Sequence, residues 1–524
     1  MRRTTIALLC GALTIAGCSS SEREPVNTVV PTAEDSTLGS ISVGTGAAPM
    51  LDTLPDVQFD GTGSTSNVSE SVAAPSVLDD ETASSDASAS ISGTADGSSA
   101  DGGSGDGGAS DTDSAPASGG TVSGRGDSTA TSESSSISSD SGTTIPSDIY
   151  PPEQFQAGTL TAADYDDQLN PHLYQRYASD YLQRVGGRLD VPYIDLSKRI
   201  ALRVRDLAGN NYGGVKLTFS DGNNEILTLT TPASGKTYLY SDIDSLPETF
   251  SIRATGLLGT AIDQTISRSD AQASGVINIT MPEDNTPAST NQADPVLDVM
   301  FVIDTTGSMG DELNYLKTEL TPIINAIPYP RGLVNVGLTF YRDLGDDYVV
   351  RSHGFTNDTG RAQQTLNNES YDGGGDYPEA MDQALHQAID ANWQPDSKRI
   401  LFLIADAPPH SDKMRATWNA AEQARKKNIH IVPIAASGVA EDAEYLMRSM
   451  AAFTNSRYLF LTDDSGFGNP HAEPEIDCYV VTHLDNLMIR VMNSLITGVR
   501  DEPTANDIIR QVGNYNNGVC AAGQ

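Results

Sequence analysis

The sequence predicts a multidomain chain in which a disordered acidic tether and an Ig-like β-sandwich precede a doubly wound α/β domain. Three observations carry that prediction. Composition breaks near residue 148, where a Ser/Gly/Asp-rich stretch gives way to ordinary globular sequence. From Ile194 to Met281 apolar residues alternate with polar ones at a period of two, the mark of half-buried strands. From Leu297 onward, short apolar runs alternate with stretches of helical period, a pattern that builds a mostly parallel sheet covered by helices. A chain of 524 residues has room for about two to four such units.

Residues 1–18 carry Arg2 and Arg3, an apolar stretch from Ile6 to Ile15, and then Ile15-Ala16-Gly17-Cys18. Basic, apolar, small is the order of a secretory signal. The Ile-Ala-Gly-Cys ending resembles the bacterial lipobox. That resemblance implies that Cys18 is diacylated as the first mature residue and anchors the chain in a membrane of the cell envelope. Ser19 in place of Asp implies the outer membrane if the cell is Gram-negative. Elsewhere the sequence has no apolar run of about 18 residues, so no membrane-spanning helix is expected.

Residues 19–148 hold 21 acidic residues against Arg23 and Arg125, which accounts for 19 of the chain's formal charge of −38. So acidic a chain is not expected to bind nucleic acid. A segment of Ser, Gly, Thr, Asp and Ala cannot bury enough apolar surface to offset its ordering entropy. As a flexible coil its ~130 residues would reach roughly 60 Å. Within it, Arg125-Gly126-Asp127 spells an adhesive tripeptide of the kind that biased sequence produces by chance. DGGSGDGGASDTD lacks the periodic aliphatic residue that a calcium-binding β-roll packs.

Residues 149–193 are read as a short helical segment. Pro171 stands in the first turn of a helix to Arg184, with Leu173, Tyr174, Tyr177 and Tyr181 on one face for packing. Residues 194–283 carry the period-two runs, among them Ile200/Leu202/Val204, Val215/Leu217/Phe219 and Phe250/Ile252/Ala254. Six or seven short strands at this spacing suggest a β-sandwich. The opening VRDLAGNNYGGVKLTF is similar to bacterial immunoglobulin-like and carboxypeptidase-regulatory-like modules, which implies either a spacer or a second binding surface.

After a Pro/Thr/Asn linker, residues 296–500 form the α/β domain. Its strands are expected at Leu297–Ile303, Val334–Tyr341, Arg399–Ala405, Ile429–Ala435 and Tyr458–Leu461, with an antiparallel edge at Tyr348–Phe355. Residues 501–524 remain as a tail. Of four cysteines, Cys10 leaves with the signal and Cys18 carries lipid. Cys478 and Cys520 remain, and in an oxidising exported compartment they are expected to pair.

The chemistry concentrates in VMFVIDTTGSMGDELNYLK, where an apolar run ends on Asp304 and a turn then presents Thr306 and Ser308. D-x-T-x-S falls at the carboxyl end of a buried strand, where open α/β sheets place ligands. One carboxylate and two hydroxyls suit a hard divalent cation such as Mg²⁺. The helix that follows begins with free N–H groups able to hold water and a carboxylate.

This strand–turn–helix resembles the metal-ion-dependent adhesion site of von Willebrand factor A domains. Two further segments match the pattern in chain order, and the resemblance covers about 200 residues. RILFLIADA ends a second buried strand on Asp406. By resemblance Asp406 accepts hydrogen bonds from metal-bound water. Between the two lies YDGGGDYPEAM, where the family commonly has Gly-Gly-x-Thr and this chain has Asp376. GGGDYPEA and IADAPPH together resemble a branch of A domains that shares this Asp. A third carboxylate would hold the ion more tightly and reduce its attraction for an anionic partner. Glu379 either plays that part as well or serves as a favourable charge at the start of the next helix. Asp343 reads as a solvated turn residue.

The resemblance implies one bound Mg²⁺, Mn²⁺ or Ca²⁺ and a protein partner whose acidic residue completes the ion's coordination. The expected function is therefore cation-dependent protein binding, in adhesion or in assembly of an envelope complex. The alternative is an envelope scaffold whose ion only fixes loops. A metal-dependent hydrolase would need a nucleophile and base in reach of each other. His410 lies near the site, but Ser308 is better used as a ligand, and no G-x-S-x-G, H-E-x-x-H or phosphate loop is present. No enzymatic activity is expected.

Overall fold

A computed structural model of the chain describes residues 39–44, 158–186, 189–282, 295–330, 332–466, 471, 474 and 476–521. The expected signal peptide with Cys18, nearly all of the expected tether and the linker at 283–294 lie outside the described residues.

Strands β1 (Ser40–Val43) and β2 (Thr161–Tyr165) come first, followed by helix α1 (Pro171–Val185). Next come β3 (Ile200–Arg205), β4 (Lys216–Asp221), β5 (Asn224–Thr230), β6 (Lys236–Leu239), β7 (Thr249–Thr255), β8 (Ala261–Ser267), helix α2 (Arg268–Ser274) and β9 (Val276–Thr280). These seven strands and β1 make two four-stranded sheets, ordered β1-β9-β3-β6 and β5-β4-β7-β8. Alternation puts Ile200, Leu202 and Val204 of one sheet against Leu217, Phe219, Phe250 and Ile252 of the other in a shared core. All pairings are antiparallel except β3 with β9.

β1 corrects the expected tether. Residues 40–43 lie inside the stretch read as unstructured, yet they pair with β9 and bury Ile41 in that core. Ser-Ile-Ser-Val is too short and polar to stand out, and the waiting edge of β9 is what orders it.

The α/β domain continues with β10 (Leu297–Asp304), α3 (Gly310–Ala326), β11 (Val334–Tyr341), β12 (Val350–Thr356), α4 (Thr359–Asn367), α5 (Met381–Ile389) and β13 (Lys398–Ala405). It closes with α6 (Met414–Lys426), β14 (Ile429–Ala435), α7 (Glu441–Phe453), β15 (Tyr458–Thr462), β16 (Tyr479–His483), α8 (Leu484–Thr497) and β17 (Arg510–Val512). Nine strands form one sheet, ordered β12-β11-β10-β13-β14-β15-β2-β16-β17. The five from β11 to β15 in that order run parallel, with β12 as antiparallel edge. All eight residues of β10 are buried, as expected of a central parallel strand covered on both faces. Leu313, Leu316 and Leu320 of α3 and Leu487, Met488 and Val491 of α8 fill one face. Helices α5, α6 and α7 fill the other.

Two expected boundaries change. Residues 149–193 are no separate segment: β2 lies between β15 and β16, antiparallel to both, with all five residues buried. Its Asp164 is held by Arg457 at 3.1 Å and Arg500 at 3.0 Å. In α1, Tyr174 and Tyr181 are fully buried, and Tyr181 stacks on Tyr445 of α7 at 4.7 Å. The C-terminal tail adds β17 to the far edge of the sheet, and a disulfide joins Cys478 to Cys520 with their Cα atoms 5.4 Å apart. The strands from β3 to β9 are therefore inserted into the α/β domain rather than preceding it.

The sandwich and the α/β domain meet through a buried ion pair. Arg425 of α6 reaches Asp244 at 2.6 Å, donates to the Tyr238 carbonyl at 2.7 Å and lies over the rings of Tyr240 and Phe453.

Candidate metal centre

From β10 the chain crosses to β11 on one side, and β13 later pairs on the other, so the order of the sheet reverses between β10 and β13. A crevice forms at the carboxyl ends of strands at such a reversal. Asp304 ends β10, and Asp406 directly follows β13, whose Ile404 pairs with Ile303. The apolar runs that bury these strands thus bring two carboxylates together.

Asp304 is fully buried. Its Oδ1 accepts from the Thr306 backbone N–H at 3.0 Å and the Thr306 hydroxyl at 2.7 Å. Its Oδ2 has no hydrogen-bond partner, and the Tyr341 hydroxyl beside it, outside bonding geometry, has none either. Asp406, also buried, leaves Oδ1 unpartnered. Burial, and next the charge of Asp406, pushes the Asp304 carboxyl up to about 7. Burial also holds Asp406 above the usual carboxylate range, although the exposed Ser308 offers it a hydroxyl.

The third carboxylate is Glu379, not Asp376. The Glu379 N–H donates to the Pro408 carbonyl at 3.0 Å, and Ala380 N–H donates to the Arg342 carbonyl. These bonds turn the Glu379 side chain inward, where it is 4% exposed with Oε2 unpartnered. Burial, followed by the charges of Asp304, Asp343, Asp406 and Asp346, pushes it up to about 9. The glycine turn before it is sterically required. Gly373 and Gly374 have φ of 80° and 73°, and a Cβ on Gly373 would lie 2.4 Å from the Asp346 carboxyl. Asp376, expected beside the pair, is exposed on the rim. The backbone bonds at Glu379 and Ala380 fix the chain so that position 379 faces in and position 376 faces out.

Asp343 also departs from expectation. It is buried rather than solvated, and its carboxylate bonds His410 Nε2 at 2.6 Å. Asp346 was not singled out in the sequence. Its Oδ2 accepts from Asp343 N–H at 3.0 Å and Gly374 N–H at 2.9 Å, tying two loops of the site together. Only the repeated Asp of DLGDD hinted at it.

Among the described residues, no group of three or more His, Cys, Asp or Glu side chains is gathered as a metal-binding cluster. The donor set is instead two carboxylates and two hydroxyls, with Glu379 close by. Three buried carboxylate oxygens without a donor, on groups that raise one another's pKa, fit a cation. Carboxylate and hydroxyl oxygens fit a hard one.

A doubly wound α/β domain with paired carboxylates at its switch point is the class that fold and site define. Residues 298–468 match the von Willebrand factor A domain. An ariadne-like RING finger protein of Acanthamoeba polyphaga mimivirus is 33% identical over 133 residues, which cover 25% of this chain and 13% of that protein. The alpha-protein kinase vwkA of Dictyostelium discoideum is 26% identical over 124 residues, covering 23% and 20%. The chain thus spans a fifth or less of the curated relatives it matches. Among solved structures, BatB from Bacteroides thetaiotaomicron aligns with a TM-score of 0.25 and 17% identity, covering 31% of this chain and 89% of that one. An aerotolerance-related membrane protein from Bacteroides fragilis aligns with a TM-score of 0.27 and 15% identity, covering 39% and 100%.

Proposed function

We propose that this chain is a lipid-anchored envelope protein whose A domain binds another protein at a site organised by one divalent cation. The observation that carries this reading is the set of unpartnered buried oxygens on Asp304, Asp406 and Glu379 at the switch point. Asp304, Thr306 and Ser308 would hold the ion directly, and Asp406 would orient its water. A bound Mg²⁺ supplies a coordination place that an acidic side chain of the partner can take from water. The protein's own part is to keep that place rigid: Thr306 fixes the Asp304 carboxylate, and the bonds of Asp346 fix the surrounding loops.

Binding rather than catalysis is supported by how the reactive groups are committed. His410 is held by Asp343, and Ser308 turns to Asp406. No helix among the described residues is long and apolar enough to cross a membrane, so a lipid on Cys18 would supply the anchor. Ser40 of β1 follows Cys18 by 22 residues. Fully extended, that stretch spans at most about 75 Å, which would keep the protein near the membrane.

A second reading, an assembly scaffold with a purely structural ion, draws on Glu379, whose buried charge would offset that of the ion. Affinity capture from envelope extracts in Mg²⁺ and in EDTA separates the two, with Asp304→Ala as control. Partners retained only in Mg²⁺ and lost with Asp304→Ala support binding through the ion. Partners retained equally in EDTA refute it.

A further inference from the structure

The mouth of the metal centre, taken with the cation-dependent reading on which this inference rests, constrains the partner beyond its acidic side chain. Tyr377 is oriented opposite to most tyrosines. Its hydroxyl donates toward the carbonyls of Asp406 at 3.2 Å and Gly438 at 3.1 Å and accepts from Ala440 N–H at 2.7 Å. Its side chain is nevertheless 43% exposed. A tyrosine usually sinks its ring and leaves the hydroxyl wet. Here three hydrogen bonds pin the hydroxyl while the residue stays exposed, so little rotamer entropy is left to lose on binding.

Tyr371 opens the same loop, and its ring rests on Gly310 at the start of α3, where a Cβ would come within 3.1 Å of it. Leu344 stands between Asp343 and Asp346, whose charges act on Glu379. Eight large apolar side chains are exposed among the described residues, and these three of them stand on loops that contribute to one site. Around them Asp347, Asp372 and Asp376 are exposed and form no ion pair among the described residues. A rim of that charge repels an acidic surface and attracts a basic one.

We propose that the site accepts a protein segment in which a single acidic side chain is flanked by basic and large apolar residues. The carboxylate enters the centre, the apolar side chain lies on Tyr371, Tyr377 and Leu344, and the basic residues face Asp372, Asp376 and Asp347.

The test titrates fluorescein-labelled short peptides against the full chain in Mg²⁺, read by anisotropy. The parent peptide has one Asp flanked by Lys and Phe. Its three siblings replace Lys with Glu, Phe with Ser, or Asp with Asn. The parent is expected to bind about tenfold or more tighter than each sibling. Asp376→Lys should weaken the parent and strengthen the Glu sibling, and Tyr371→Ser should erase the preference for Phe over Ser. Thermal unfolding with and without Mg²⁺ accompanies each titration. If Mg²⁺ still raises the melting temperature but the parent fails to bind, or all four peptides bind alike, the inference about the partner is overturned and the cation reading stands. If Mg²⁺ causes no shift in wild type, the cation reading falls and takes this inference with it.

Discussion

Replacing Asp304 by Asn in the metal-free protein should stabilise it, and the gain should depend on pH. The carboxyl is fully buried, and burial together with the charge of Asp406 moves it from an ordinary value of 3.8 up to about 7. A pKa raised in the folded state means that folding favours the protonated form. The associated stability is therefore fully present below about pH 4 and is lost as pH rises through about 7. Moving from 3.8 to about 7 corresponds to roughly 4 kcal/mol at pH 8 and to under ~2 kcal/mol at pH 5. Asn keeps an oxygen for the Thr306 donors and carries no charge, so it should recover that difference. For a domain of this size, 4 kcal/mol is on the order of 10 °C in melting temperature. The assay is thermal and denaturant unfolding of both proteins in EDTA at pH 5 and pH 8, repeated with Mg²⁺. Glu379 and Glu312, pushed up to about 9 and about 8 mainly by burial, bend the wild-type curve the same way. The difference between the two proteins reports Asp304 together with the charge it imposes on Glu379. Mg²⁺ should raise wild type at pH 8 and leave Asp304→Asn unmoved. Wild type in EDTA as stable at pH 8 as at pH 5, or Asp304→Asn less stable than wild type at pH 8, would refute the burial of an uncompensated charge at this position.

Other expectations come from the fold. Asp244→Ala strands the buried Arg425 guanidinium and should cost about 3–5 kcal/mol, read by denaturant unfolding; a loss under ~1 kcal/mol would mean that water reaches the joint. Cys520→Ala opens a closure between residues 42 apart and should cost roughly 3–4 kcal/mol. Thiol titration of unfolded, unreduced wild type should find neither Cys478 nor Cys520 free, and titration of both thiols would show that the bond does not form. Deleting residues 46–148 should leave the melting temperature unchanged, whereas a deletion that also removes β1 should lower stability by about 2 kcal/mol through the loss of Ile41 and the uncovered edge of β9. Equal melting temperatures for the two deletions would mean that β1 contributes nothing.

Whatever a local pattern could express was legible in the amino-acid order. The strands at Val334–Tyr341 and Ile429–Ala435 fall where their largely apolar runs place them, because a parallel strand buried on both faces must be mostly apolar. The placement of Asp304, Thr306 and Ser308 at the end of β10 was legible because strand, turn and helix follow one another within a few residues, and that of Asp406 because it follows a second such run. The remainder was settled by contacts distant along the chain. Thr-Ala-Ala-Asp-Tyr has little strand preference of its own, and β2 exists because β15 and β16 present two unpaired edges and two arginines wait for Asp164. β1 likewise takes its order from β9, far along the chain. Between Asp376 and Glu379, three residues apart on one loop, no local rule chooses. The choice was made by where the Pro408 and Arg342 carbonyls stand, and those positions are set by strands that the loop itself does not contain.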